Sequence, residues 1–334
     1  EAGKVNTNAN GVMSKDDALV YVKNGQVRYD YTGMAEYNGQ RVYINNGVVD
    51  YTYTGLASDE AGTWKMKDGI ADTEYSGYYD VNGQRVCIQD GKVASDYTDV
   101  TYDGEAWVYV ENGVVRYDYA GIKPNSIGWW RIEDGKVNLD YNGFASNENG
   151  RFYLQDGKVN FDYTDIIPDG EDWVYVENGQ VNNSYTGVRQ NDNGWWRVEA
   201  GKVNFGYNGL AENEYGWWVI KDGNVDFDCN GLIEDEKGWF YIKDGMVDWS
   251  YTGLASNEAG WFYVKNGTID WNYTGLTYYN DVWFYISGGM IDWDYTRLVY
   301  YNDIWFYVSG GILDWDYIGL TSYNGIWFMI SGGM

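Results

Sequence analysis

The chain has no histidine, two cysteines and two prolines in 334 residues. Lack of histidine removes the commonest general base near neutral pH and the usual imidazole metal ligand. Cys87 and Cys229 cannot build a tetrahedral zinc site by themselves, and no C-x-x-C pair occurs. Basic residues are scarce, 23 against 50 acidic, so a net charge of −27 opposes a nucleic-acid partner or an anionic membrane surface. No run approaches the roughly 18 apolar residues of a membrane-spanning helix, and no membrane insertion is expected. The chain opens in mid-repeat at residues 1–5, EAGKV, without a signal peptide, as a processed product or excised fragment would. Acidic residues recur along the chain instead of converging at one place, so we expect no catalytic residues, no metal and no cofactor. Pairs such as Asp235 and Glu236 lack the spaced ligands of a calcium loop.

What the chain has in abundance is glycine and aromatic rings, 44 Gly with 18 Trp, 35 Tyr and 10 Phe. One glycine falls on every twenty-second residue, from Gly3, Gly25 and Gly47 through Gly289, Gly311 and Gly333, without an insertion or deletion. Such a period marks an array, because a unit this short cannot bury a core alone and must stack on its neighbours. The reading is a single array over 1–334, more divergent over 1–106 and Trp-rich over 107–334.

Residues 260–276, GWFYVKNGTIDWNYTGL, are a clean copy. The run from Trp261 to Val264 precedes Asn266-Gly267, and Ile269, Trp271 and Tyr273 alternate with Asp270 and Asn272 after it. Asn-Gly and Asp-Gly at this site predict a type I′ turn, in which both central residues need φ > 0. The fold class expected is all-β, an elongated β-solenoid of stacked 22-residue β-hairpins. That turn pairs Val264 with Ile269, Tyr263 with Asp270, Phe262 with Trp271 and Trp261 with Asn272, which defines two faces. Phe262, Val264, Ile269, Trp271 and Tyr273 are assigned to the interior, so Trp271→Ala is expected to cost roughly 3–5 kcal/mol. Linkers such as 255–260 and 233–238 read as surface turns, and Pro124 and Pro168 as lying outside strands.

The other face carries the candidate ligand contacts. They are the pairs Trp107 and Tyr109, Trp173 and Tyr175, Trp239 and Tyr241, Trp261 and Tyr263, Trp283 and Tyr285, and Trp305 and Tyr307, with Asp248, Asp270, Asp292 and Asp314 beside them. Flat rings offer an apolar platform to a sugar and Asp supplies hydrogen bonds at its edge, whereas packing between hairpins would use the same rings structurally. The first quarter carries Leu19, Arg41, Thr63 and Arg85 in place of the tryptophan, so the later repeats are expected to bind better. Cys87 and Cys229 stand more than six repeats apart and are expected to be free, with Cys87 the more reactive.

The string GWFYVKNG, followed by an alternating strand and TGL, resembles the choline-binding and cell-wall-binding repeats of Gram-positive surface proteins, and more distantly the glucan-binding repeats. The resemblance implies stacked hairpins that hold ligands between them with aromatic side chains. Where such repeats carry Trp after the Thr-Gly, this chain has Leu210, Leu232, Leu254 and Leu276. The function expected is a non-catalytic extracellular binding module, secreted or on the bacterial surface, for cell-wall polysaccharide or a host glycan. The alternatives are binding of a choline-like cation, or a structural stalk or adhesin spacer in which the rings only pack.

Overall fold

The computed structural model describes residues 6–334, which hold strands and turns and no helix; Gly3 lies outside them. Two units are distinguished, one running to Tyr163 and taking in Asn178–Gln180, the other comprising Thr164–Glu177 and Val181–Met334. Both are all-β and built from one 22-residue module.

In the module around Gly267 there are three strands, Gly253–Asn257, Gly260–Lys265 and Thr268–Ile269. The second and third join through the expected type I′ turn, with φ of 49° at Asn266 and 75° at Gly267 and Val264 opposite Ile269. Asp270 N–H donates to the Tyr263 carbonyl, so the expected register holds that far. The Phe262–Trp271 and Trp261–Asn272 pairs do not form. The Asp270 carboxylate accepts the N–H of Asn272, and this local bond ends the third strand after two residues.

Phe262 and Trp261 pair instead with Ala255 and Ser256 on the first strand, and Leu254 stands opposite Tyr263. The segment expected to be a linker is therefore mostly strand, with only Glu258 and Ala259 in its turn; the same holds for Gly231–Asp235. Pro124 and Pro168 likewise lie within strands, opposite Trp129 and Trp173. Each sits one pair away from a two-residue turn, at a non-hydrogen-bonded pair where a missing N–H removes no bond from the hairpin.

The periodic glycine stitches consecutive modules together. Tyr263 N–H donates to the Gly289 carbonyl at 2.9 Å, and Gly289 N–H donates to the Tyr273 carbonyl at 3.0 Å. A Cβ on Gly289 would stand 2.8 Å from the Asp270 carbonyl oxygen, and one on Gly267 would stand 2.7 Å from that of Asp248. The position thus needs both a positive φ and a hydrogen-sized side chain, which explains why the period never slips.

Both faces of this hairpin are packed. Ala255, Phe262, Val264 and Ile269 meet Leu232, Trp239 and Tyr241 of the preceding module. Leu254, Trp261 and Tyr263 meet Phe284, Ile286 and Ile291 of the following one. The division into an interior and a ligand face is therefore replaced by a hairpin sandwiched between neighbours, each large buried side chain contributing on the order of 1.5–3 kcal/mol. Tyr273, expected beside Phe262, instead stacks on Tyr263 at 3.8 Å and donates its hydroxyl to the Leu276 carbonyl at 2.8 Å. Burial pushes the hydroxyls of Tyr251, Tyr273 and Tyr295 up to about 12. Both cysteines are free thiols, and their expected order of accessibility is reversed, Cys87 being buried and Cys229 half-buried.

Candidate functional site: aromatic clefts between hairpins

The tyrosines expected to contact ligand are built into the packing. Tyr109 and Tyr175 are 2% exposed and Tyr285 is also buried. Tyr241, Tyr263 and Tyr307 are half-buried and stacked on Tyr251, Tyr273 and Tyr317. Asp248, Asp270, Asp292 and Asp314 are half-buried and accept the backbone N–H of Ser250, Asn272, Asp294 and Asp316. The Ser250 hydroxyl also donates to Asp248 and holds its carboxyl below the ordinary carboxylate range. These carboxylates serve as strand terminators.

The tryptophans behave differently. Trp107 is exposed, whereas Trp173, Trp239, Trp261, Trp283 and Trp305 are half-buried. Trp239 packs on Phe262 and Trp261 beside Phe284, each ring lying between its own hairpin and the next.

A second aromatic row completes the clefts. Trp249, Trp271, Trp293 and Trp315, four residues after the repeat glycine, are all 46–49% exposed. Tyr29, Tyr51, Tyr117, Phe161, Phe205 and Phe227 occupy the same position in other modules and are exposed too. Sequence reasoning placed Trp271 inside by continuing strand alternation past the Asp that breaks the strand; the recurring Asp or Asn just before the aromatic was the available signal.

Each complete cleft has one tryptophan from a module and two rings from the following module. Trp217, Phe240 and Trp249 have centroids 5.8, 6.0 and 5.9 Å apart. Trp195, Trp218 and Phe227 form the equivalent trio at 5.3, 6.4 and 5.7 Å, and in a further module Trp239 stacks on Phe262 at 5.9 Å while Trp271 meets Phe262 edge-on at 5.7 Å. Beside the Trp195 trio opens a cleft of about 650 Å³, lined by Trp195, Trp218, Tyr215, Glu214 and Met246. Its Trp218 wall is fixed by Asn213, whose side-chain oxygen accepts the indole N–H at 2.9 Å and the Tyr215 N–H at 2.9 Å.

The choline-binding repeat model matches eleven segments: 30–50, 96–116, 118–138, 140–160, 162–182, 184–204, 206–226, 229–248, 250–270, 272–292 and 294–314. The chain belongs to the choline-binding repeat family. No curated protein matches it by sequence. Among solved structures it is similar to choline binding protein F from Streptococcus pneumoniae, at 18% identity over 96% of this chain and 99% of that one, with a TM-score of 0.26. It is also similar to the modular autolysin LytC from the same organism, at 13% identity over 70% of this chain and 51% of that one, with a TM-score of 0.21. Membership rests on the repeat motif, not on these superpositions.

Within this choline-binding repeat chain the clefts are not alike. In the N-terminal unit Arg41 stands where later modules have tryptophan. Its guanidinium lies 4.2 Å from the Trp64 ring centroid, and its Nε donates to Asp59 at 2.8 Å. Lys92 approaches the same ring at 5.8 Å, so two of the protein's own cations fill the space that aromatic rings frame elsewhere.

Proposed function

We propose that the chain is a non-catalytic, extracellular cell-wall-binding module whose aromatic clefts take choline-type ammonium groups carried by cell-wall polymers. The observation that carries this reading is the open cleft of about 650 Å³ lined by Trp195, Trp218, Tyr215 and Met246. Trp195 and Trp218 lie 5.3 Å apart at 37°, and the Tyr215 ring stands at 70° to Trp195. A cleft walled by several aromatic rings suits a trimethylammonium group held over their faces. Arg41 on Trp64 supports it as well, since a cation already rests on a ring of this row. The net charge of −27 favours a cationic group over an anionic one at long range. Repetition makes weak sites useful, because a polymer carrying many such groups engages several clefts at once. The bacterial surface is where such polymers are met. The stalk reading accounts for the buried tyrosines but not for an open aromatic cleft of about 650 Å³.

The test is titration of the full chain, followed by tryptophan fluorescence, with choline and with its uncharged isostere 3,3-dimethyl-1-butanol. Choline is expected to saturate the signal, with the isostere roughly tenfold weaker or more because the cation–π attraction is missing. Equal affinities would overturn the cation reading and return the clefts to sugar binding or packing.

A further inference from the structure

In two clefts one residue of the following module leans over the tryptophan of the preceding one. It lies eight positions before the repeat glycine, in the two-residue turn between the first and second strands. In the Trp195 cleft it is Tyr215, whose ring stands edge-on to the indole at 6.0 Å and 70°. In the Trp217 cleft it is Lys237, whose Nζ lies 3.9 Å from the Trp217 ring centroid. In the Trp239 cleft the same position is Ala259, exposed and too short to cover the ring. Lys237 is itself exposed, and among the described residues its ammonium forms no ion pair, so the Trp217 face is the contact that holds it.

We propose that this turn position sets the ligand affinity of each cleft, and that Lys237 is a built-in competitor occupying the Trp217 cleft with the protein's own ammonium. The proposal rests on the reading that the clefts bind cationic ammonium groups. A ligand entering at Trp217 must displace a like charge from the ring it needs, whereas a ligand entering at Trp239 meets an open face. The chain thereby carries graded sites on one skeleton, with cleft geometry kept and occupancy set by a side chain in the turn between two strands. Tyr215 represents a third setting, in which the turn adds a wall instead of a competitor.

The experiment follows the indole N–H resonances of Trp195, Trp217 and Trp239 in the full chain during choline titration, for the native protein, Lys237→Ala, Lys237→Arg and Ala259→Lys. Lys237→Ala is expected to tighten binding at Trp217 roughly two- to fivefold, the worth of an exposed cation–π contact. Lys237→Arg should leave it near the native value, and Ala259→Lys should weaken Trp239 by a similar factor. All three substitutions lie in exposed turns, and an unchanged urea midpoint shows that the fold is intact. In the native protein the Lys237 ε-methylene protons are expected upfield, beneath the indole, and to return to ordinary positions as choline fills the cleft. A Lys237 signal unmoved while choline saturates Trp217, or an affinity unchanged in both Lys237→Ala and Ala259→Lys, overturns the competitor. Absence of choline binding at Trp195 and Trp239 as well overturns the reading of all the clefts.

Discussion

The cleft around Trp64 and the cleft around Trp239 share one backbone and differ in what fills them. Around Trp64, Arg41 stacks on the ring and pairs with Asp59, while the Lys92 ammonium lies 5.8 Å from the same ring. Around Trp239, Phe262 and Trp271 supply rings, and among the described residues no such cation stands over them. The turn glycines, the strand registers and the tyrosine stacks are nevertheless the same, as the pairs Tyr43–Tyr53 and Tyr263–Tyr273 show at 3.8 Å each. Skeleton and lining are thus separable: the first rests on the repeat glycine, which never changes, and the second varies among aromatic, cationic and small side chains.

The sharpest way to break this separation is to compare two rings of one cleft. Phe262 is buried at 3% exposure, and Phe262→Ala should lower stability by roughly 3–5 kcal/mol. Trp271 is 48% exposed, and Trp271→Ala should stay within about 1 kcal/mol while weakening choline binding at that cleft. Urea denaturation with a parallel choline titration decides it; a Trp271→Ala protein as unstable as Phe262→Ala would return Trp271 to the core.

The skeleton itself can be tested with glycines. Gly83 and Gly91 both have φ of 77°, but a Cβ on Gly83 meets nothing within 4 Å, whereas one on Gly91 stands 2.5 Å from the Asp72 carbonyl oxygen. Gly83→Ala should cost about 1–2 kcal/mol, the left-handed penalty alone. Gly91→Ala should cost clearly more, and Gly267→Ala about as much as Gly91→Ala, since that skeleton is common to both regions. Equal urea midpoints for Gly83→Ala and Gly91→Ala would remove the close approach between modules as the reason for the period.

The lining of the N-terminal cleft yields a smaller effect. Arg41 and Asp59 are partly exposed, so Arg41→Ala should lower stability by only about 1 kcal/mol. It should also make the Trp64 indole resonance respond to choline, which it does not do in the native chain if Arg41 fills the site. An unresponsive Trp64 in the variant would mean that the missing aromatic wall, and not the arginine, keeps this cleft closed.

The tyrosine stacks set a limit at high pH. Folding raises Tyr251, Tyr273 and Tyr295 from 10.0 to about 12, because burial disfavours the phenolate. A group whose folded value is raised contributes stability that is fully present below its unfolded value of 10.0 and lost as pH rises through the folded one. The urea midpoint should therefore hold up to about pH 10 and fall toward pH 12, together with the rise in phenolate absorbance. A flat midpoint across that window would show that these hydroxyls are not held neutral by the fold.

Much of the module was legible from the residues. The glycine period, the type I′ turn and the Val264–Ile269 pair follow from Asn-Gly at a fixed interval. The first strand was missed because its outward residues, Ser256 and Asn257, look like loop, while its apolar residues are only Leu254 and Ala255. Trp271 was misplaced because alternation says nothing about where a side-chain hydrogen bond will end a strand.

Sequence alone determined the repeat, its turn and its aromatic supply, since these depend on local backbone preference and on spacing along one chain. Which rings are buried and which line a cleft was decided only by tertiary structure. Leu254, Trp261 and Tyr263 lie on one face of their hairpin, and nothing local to that hairpin distinguishes a face turned to solvent from one covered by the next module. The stacking that covers it is a contact between residues more than a full period apart, carried by the carbonyl of Gly289 and the N–H of Tyr263.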